Sequence, residues 1–79
     1  MAAKDPTLAK LGANLRRARE AKGWSQEGLA HRCGVHRTYV GAVERGEYNV
    51  TILTLRKIIV VLDITFHTAL RGVGSEPRG

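Results

Sequence analysis

Residues 25–45 read SQEGLAHRCGVHRTYVGAVER, and this stretch decides the fold of the chain. Serine is a preferred cap at the start of a helix, and glycine commonly ends one. The stretch therefore predicts a helix from Ser25 to Cys33, a tight turn at Gly34, and a second helix from His36 to Arg45. Two short helices joined by such a turn form a helix-turn-helix unit.

The apolar residues of this stretch fall on one side of each predicted helix. Leu29, Ala30 and Cys33 share a face of the first helix, while Val40 and Val43 share a face of the second. We expect these faces to be buried. The opposite face of the second helix, which we expect to stay outside, holds Arg37, Thr38, Tyr39 and Ala42.

A longer amphipathic helix is predicted before this unit. Its apolar positions recur at steps of three and four, at Leu8, Leu11, Leu15 and Ala18. Thr7 is the expected N-cap of this helix, and Gly23 is expected to end it.

Two more helices are predicted after the unit. Thr51 can cap a fourth helix, whose inner face is Leu55, Ile58, Ile59 and Leu62. Thr65 can cap a short fifth helix, although the alternation from Ile64 to Leu70 leaves a strand open as the alternative. The sequence thus predicts an all-α fold, a compact five-helix bundle.

The chain has the size of one small domain and carries an excess of positive charge. Its 79 residues leave no material for a second core, which excludes a multidomain enzyme. The formal net charge of +6, concentrated in the first 45 residues, indicates a polyanionic partner. We expect the domain to span residues 7–72, between a flexible arm at residues 1–6 and a disordered tail at residues 73–79.

Neither a membrane span nor a disulfide is expected. The longest apolar run, Ile58 to Leu62, is far shorter than the roughly 18 residues of a span, and residues 1–6 lack the apolar core of a signal peptide. The single cysteine, Cys33, has no internal partner, which agrees with a reducing compartment. These features predict a cytoplasmic protein.

The residues around the unit also match a known family. The chain closely resembles the phage-repressor, Cro and XRE type of helix-turn-helix regulator over about residues 8–72, and within it most resembles restriction-modification controller proteins and compact phage repressors. The segments that carry the resemblance are REAKGWSQE at 19–27, Leu29-Ala30, Gly34-Val35, VERG at 43–46 and Leu62-Asp63-Ile64. It implies a lambda-repressor-like fold, bacterial or phage origin, and a DNA-recognition helix at residues 36–45.

The resemblance implies that the outer face of the recognition helix touches DNA bases. Arg37, Thr38 and Ala42 fall where family members meet base edges, and Tyr39 lies beside them, within reach of a base or a phosphate. An arginine suits the O6 and N7 atoms of guanine, and the alanine can pack on a thymine methyl group. The alternative for Arg37 is a solvated surface charge.

A second set of residues is expected to contact DNA phosphates. Gln26 stands at the first position of the second helix, where the family has a glutamine and where a helix N-terminus attracts anions. The alternative is an ordinary solvated glutamine. The expected phosphate contacts are Ser25, Gln26, His36, Arg45 and Asn49, of which Asn49 is almost equally well explained as a turn former.

One pair of residues and two departures from the family pattern bear on stability. Arg19 and Glu44 fall where the family pairs an arginine with a glutamate beneath the recognition helix, so the resemblance implies a structural ion pair. Gly28 stands where a glutamate is usual, which removes half of a capping box and lowers helix propensity. His36 replaces the usual Ser, Thr or Asp at the cap of the recognition helix, which puts the cap geometry in doubt.

The fourth helix carries more apolar residues than one buried face needs. Residues 59–61 read IVV where the family usually has a small residue and polar neighbours. We expect a second copy of the chain to cover this surplus, with an interface formed by Val60, Val61, Thr65, Phe66, Ala69 and Leu70. The alternative is that Val60 or Val61 packs beneath the arm or the tail.

Sites for metals, cofactors and catalysis are not expected. His31, Cys33 and His36 lie close in sequence, but their predicted positions diverge, and zinc sites usually need four ligands. The chain has no persuasive nucleophile and base, and no glycine-rich phosphate loop. We therefore expect no enzyme activity, no cofactor and no small-molecule effector.

Two classes of function fit these features. The first is a sequence-specific regulator of transcription, a homodimer on a roughly palindromic operator that acts as a repressor by excluding RNA polymerase or as an activator by contacting it. The second is an antitoxin-like protein-interaction module with autoregulatory DNA binding. RNA binding is a weak third class, because the chain has few aromatic residues for stacking.

Overall fold

The computed structural model describes residues 5–74 and contains five helices in that range. They are α1 (Pro6–Ala21), α2 (Gln26–Cys33), α3 (Arg37–Glu44), α4 (Ile52–Leu62) and α5 (Phe66–Ala69). Every regular element in the described range is helical, so the strand alternative after Ile64 is wrong and the predicted five-helix bundle is confirmed. Most of the predicted arm and tail, residues 1–4 and 75–79, lies outside the described residues.

Three of the predicted N-caps are confirmed by their hydrogen bonds. The hydroxyl oxygen of Ser25 accepts the backbone N–H of Gly28 at 2.9 Å, and those of Thr51 and Thr65 accept the N–H three residues further on. Gly34 ends α2 with a φ of 70°, a conformation that glycine adopts without steric cost.

The predicted start of α1 is wrong. Asp5, and not Thr7, is its N-cap, and the Asp5 carboxylate accepts the backbone N–H of Thr7 at 2.8 Å. Pro6 then takes the first helical position, where its fixed φ fits and where its missing N–H costs nothing.

The core gathers most of the predicted inner faces of α1 to α4, together with Ala69 of α5, a residue predicted for the dimer interface. Its buried members are Leu11, Leu15, Leu29, Ala30, Cys33, Val40, Val43, Leu55, Ile58, Ile59, Leu62 and Ala69. Val73, assigned to the tail from the sequence, is partly buried against this core. No helix within residues 5–74 is long and apolar enough to cross a membrane.

Helix α1 contacts α3 on one side and the end of α5 on another. A methyl group on Gly12 would overlap the backbone carbonyl oxygens of Val43 and Glu44, so only a glycine lets α1 lie this close to α3. On another side of α1, the Asn14 amide donates to the carbonyl oxygens of Ala69 at 2.8 Å and Arg71 at 2.9 Å. These bonds satisfy acceptors left free at the end of α5.

Candidate nucleic-acid interface

The turn between α2 and α3 is fixed by backbone hydrogen bonds. The N–H of Gly34 donates to the carbonyl of His31 at 3.2 Å, and the N–H of Val35 donates to that of Ala30 at 3.0 Å. Such a pair of bonds closes the end of α2 and sets the direction in which the chain leaves it. Helix α3 therefore starts from a fixed point relative to α2.

The outer face of α3 is available to a partner. Arg37 and Thr38 are exposed, and Ala42 is half-buried. The inner face is anchored by Val40 and Val43, which are 2% and 3% exposed. The residues predicted to touch bases therefore lie together on the outer side of a helix whose other side belongs to the core.

An ion pair lies beneath α3, where Arg19 and Glu44 are both 8% exposed. The Arg19 guanidinium donates to both carboxylate oxygens of Glu44, at 2.7 and 3.1 Å, and also to the carbonyl of Trp24 at 2.7 Å. The hydrogen bonds to Glu44 raise the pKa of Arg19 above its ordinary value, although burial opposes this. The pair ties the end of α1 to the end of α3.

Gln26 is part of the same network. Its side-chain amide donates to Glu44 at 3.0 Å, a contact that the sequence did not reveal. This bond joins the start of α2 to the ion pair and engages one of the two amide hydrogens of Gln26. A contact of Gln26 with phosphate stays a prediction, limited to its remaining N–H groups.

His36 caps α3 in place of the usual hydroxyl or carboxylate residue. Its Nδ1 atom accepts the backbone N–H of Thr38 at 3.1 Å and lies 2.7 Å from the Thr38 hydroxyl. The doubt about the cap geometry is thereby resolved. The His36 residue is exposed, and its contact with a DNA phosphate stays a prediction.

Tyr39 connects α3 to the loop that follows it. The Tyr39 and Tyr48 rings pack edge to face with centroids 4.9 Å apart. Burial raises the pKa of Tyr39 above its ordinary value, while a hydrogen bond with Thr54 lowers it and Tyr48 raises it further. Much of this side chain is committed to the protein, so its contact with DNA stays a prediction for the exposed part only.

Of the other predicted phosphate contacts, Ser25 is exposed at the start of α2, and Arg45 and Asn49 lie after α3. Arg45 is the C-cap of α3, and its Nε donates to the Glu47 carboxylate at 3.0 Å. Asn49 is exposed on the loop before α4. The sequence did not reveal the Glu47 partner, because a pair two residues apart depends on the shape of the loop.

The predicted dimer interface is only partly on the surface. Val60, Thr65 and Leu70 are exposed, whereas Val61 and Phe66 are half-buried against the core. Ala69 has 0% exposure, so its assignment to the interface is wrong. It belongs to the core, and a side chain with no exposed area offers nothing to a partner.

Sequence reasoning missed two exposed apolar residues at the start of α4. Ile52 is 63% exposed and Leu53 is 75% exposed. Leu53 lines a shallow surface groove together with Arg56, Lys57, Val60 and Val61. The spacing of seven residues between Leu53 and Val60, two helical turns, is the signal that could have revealed this shared face.

The three residues considered for zinc diverge. Cys33 is buried, while His31 and His36 are exposed. Burial raises the pKa of the Cys33 thiol, and the charge of Lys57 opposes this. Within residues 5–74, no three His, Cys, Asp or Glu side chains come together as a metal site.

A comparison with protein families decides the identity of this fold. The helix-turn-helix family model HTH_3 matches residues 15–68. The chain belongs to this family. The matched range contains the α2–turn–α3 unit and both residues of the buried ion pair, and the resemblance inferred from the sequence is confirmed.

Individual relatives are regulators and controller proteins. The chain is 44% identical over 62 residues to a hypothetical transcription factor of Neisseria meningitidis, a match that covers 78% of this chain and 58% of the relative. The chain thus spans less than two thirds of that protein. It is 47% identical to the restriction-modification controller protein C.AhdI from Aeromonas hydrophila, with a TM-score of 0.75 over 78% of this chain and 94% of that chain.

One similar structure contains DNA. The tetramer of the restriction-modification controller protein C.Esp1396I has been solved in complex with its natural 35 base-pair operator. The chain is 31% identical to that protein, with a TM-score of 0.74 over 82% of this chain and 86% of that chain.

Proposed function

We propose that this HTH_3 protein is a sequence-specific regulator of transcription that binds double-stranded DNA as a homodimer, with α3 in the major groove. The observation that carries the proposal is the outer face of α3, where Arg37 and Thr38 are exposed on a helix anchored by the buried Arg19–Glu44 pair. A helix held this firmly can present side chains to base edges in a fixed register.

Charge and relatives support the same proposal. The formal net charge of +6 favours a polyanion, and a controller protein of this fold has been solved with its operator. In the proposed complex the base contacts are Arg37, Thr38, Ala42 and the exposed part of Tyr39, while the backbone contacts are Ser25, Gln26, His36, Arg45 and Asn49. A cytoplasmic location and a contact with RNA polymerase stay predictions.

The homodimer is proposed from the exposed apolar surface of α4. We assign the interface to the patch formed by Leu53, Val60, Val61, Thr65, Phe66 and Leu70. A two-fold pair of chains would bury this patch against itself and could place two recognition helices about one DNA turn apart, near 34 Å. One helix alone reads only a few base pairs, so a dimer would supply the missing specificity.

Selection from a random duplex pool tests the proposal. Enrichment of an inverted repeat with half-site centres about 10 to 12 base pairs apart is the expected result. Weak, salt-sensitive binding without an enriched motif would mean that the charge gives only nonspecific attraction. The antitoxin-like alternative, in which a partner protein is the main target, would then take precedence.

Substitution of Arg37 tests its role in base recognition, and substitution of Arg17 is the matched control. Arg17 is exposed on α1 and lies beside Asn14, which binds the end of α5, so it is turned away from α3. Arg37→Ala should cost about 1–3 kcal/mol of binding and relax one base position of the enriched motif. Arg17→Ala removes the same charge and should leave the motif unchanged; equal effects of both variants would refute the assignment.

A further inference from the structure

Gly41 is buried although it lies on the side of α3 that bears Arg37. Two polar side chains cover it, the amide of Gln26 from α2 and the guanidinium of Arg45 from the end of α3 itself. A Cβ atom built on Gly41 would lie 3.3 Å from Oε1 of Gln26 and 2.9 Å from Nη1 of Arg45. The missing side chain thus leaves a notch that the guanidinium fills.

Because Gly41 has no side chain, the Arg45 side chain has room to run back along the recognition helix. Gly41 and Arg45 are one helical turn apart, and the Arg45 side chain runs toward the start of α3, so its charge lies beside Gln26 instead of beyond the end of the helix. Glu47 holds it there through a bond of 3.0 Å to Nε. The Arg45 and Glu47 side chains are 53% and 43% exposed, and such exposed pairs are weak in water. A DNA phosphate can therefore replace the carboxylate.

Glycine is an unfavourable choice for a helix interior. It lowers helix stability relative to alanine, because it loses more backbone freedom on folding. An alanine at position 41 would meet the far ends of two side chains, Nη1 of Arg45 at 2.9 Å and Oε1 of Gln26 at 3.3 Å. The arginine, which has the closer contact, is flexible and half exposed, so it can move aside. Local stability therefore favours alanine, and the placement of Arg45 favours glycine.

We propose that Gly41 is a positioning residue that sets DNA affinity through Arg45. By leaving the notch open, it holds the Arg45 guanidinium on the DNA-facing side of the α2–α3 unit, ready to exchange Glu47 for a phosphate. The inference rests on the proposed function, since it concerns the same DNA interface, and it names Gly41 as a determinant that touches no nucleotide itself.

The test is a double-mutant cycle with Gly41→Ala, Arg45→Ala and the double variant. Affinity is measured for the duplex enriched by selection and for a random duplex of equal length, over a range of salt concentrations. Gly41→Ala should weaken binding to both duplexes by about tenfold, the order of one charge-assisted hydrogen bond. It should also reduce the slope of log affinity against log salt by about 0.9, the value for one phosphate contact.

The double variant separates an effect through Arg45 from a direct clash with DNA. If Gly41 acts through Arg45, adding Gly41→Ala to Arg45→Ala causes no further loss. The thermal unfolding midpoint of Gly41→Ala should not fall, and Arg45→Ala gives the same slope change without altering the helix interior.

Two results would overturn the inference while the proposed function survives. One is wild-type affinity and salt slope in Gly41→Ala, and the other is an equal loss in the Arg45→Ala background. If the wild-type chain binds neither duplex, the proposed function fails and this inference fails with it. Arg17→Ala, which removes an exposed charge turned away from α3, is the control for Arg45→Ala and should keep the wild-type salt slope.

Discussion

The α1–α3 region buries charged side chains, whereas the α4–α5 region exposes large apolar ones. In the first region the buried charges of Arg19 and Glu44 bind each other, and Gln26 and the Trp24 carbonyl complete the network. In the second region the apolar side chains of Leu53 and Val60 are 75% and 65% exposed, with nothing over them in the described part of the chain.

The two regions therefore have different roles, the first in holding α3 and the second in binding another surface. The first region satisfies its own polar groups, so it holds α3 in place without help from a partner. The second region leaves apolar surface that only another surface can remove from water. We therefore expect substitutions in the first region to act on folding, and substitutions on the exposed face of α4 to act on assembly.

The largest expected effect comes from breaking the buried ion pair. Glu44→Ala leaves the Arg19 charge buried without its carboxylate and should lower the free energy of unfolding by about 3–5 kcal/mol. Urea unfolding measures this loss. The control is Glu20→Ala, which removes the exposed pair with Arg16 and should cost roughly 0.5 kcal/mol or less. Similar losses in both variants would show that burial does not matter here.

A backbone contact gives the next largest effect. Gly12→Ala forces a methyl group against the carbonyl oxygens of Val43 and Glu44 and should lower the free energy of unfolding by about 1–3 kcal/mol. Gly28→Ala meets only side chains, the nearest being the hydroxyl of the N-cap Ser25 at 3.3 Å, and should change the free energy of unfolding by less than about 1 kcal/mol. An equal loss in both variants would show that the close approach of α1 to α3 is not the cause.

Substitutions on the exposed face of α4 should weaken dimerisation and leave the stability of the monomer nearly unchanged. Val60→Glu should change the free energy of unfolding of the monomer by no more than about 0.5 kcal/mol, yet convert a dimer to a monomer in sedimentation equilibrium. Ala13→Glu introduces the same charge at an exposed residue of α1, outside the patch, and should leave the dimer intact. A wild-type monomer at high concentration would refute the proposed interface.

The smallest expected effect is a pH dependence from Tyr39. Because burial raises its pKa, the folded state binds the phenolic proton more tightly than the unfolded state does. The stability from this proton is fully present below the ordinary tyrosine pKa of about 10 and is lost as pH rises through the higher folded value. Unfolding midpoints from about pH 9 to pH 11 should fall less for Tyr39→Phe than for the wild type. Equal slopes would contradict this.

The sequence by itself determined the helices and most of their ends. The caps at Ser25, Thr51 and Thr65, the stop at Gly34 and the inner face of α4 were all predictable, because capping and helical periodicity act over a few residues of one chain segment. Family motifs added the pairing of Arg19 with Glu44. The start of α1 was missed only because Asp5 and Thr7 are both good caps, and Pro6 decides between them.

Only the tertiary structure decided which partner each polar side chain takes. Periodicity shows which face of a helix is apolar, but it does not show that Gln26 lies against Glu44, that Tyr39 packs on Tyr48, or that Asn14 binds the carbonyl oxygens at the end of α5. These contacts join segments distant in sequence, and their geometry depends on how closely the helices approach one another. The notch at Gly41 is partly local, since Arg45 is one helical turn away, but the Gln26 amide beside it comes from α2 and its Glu47 partner comes from the following loop.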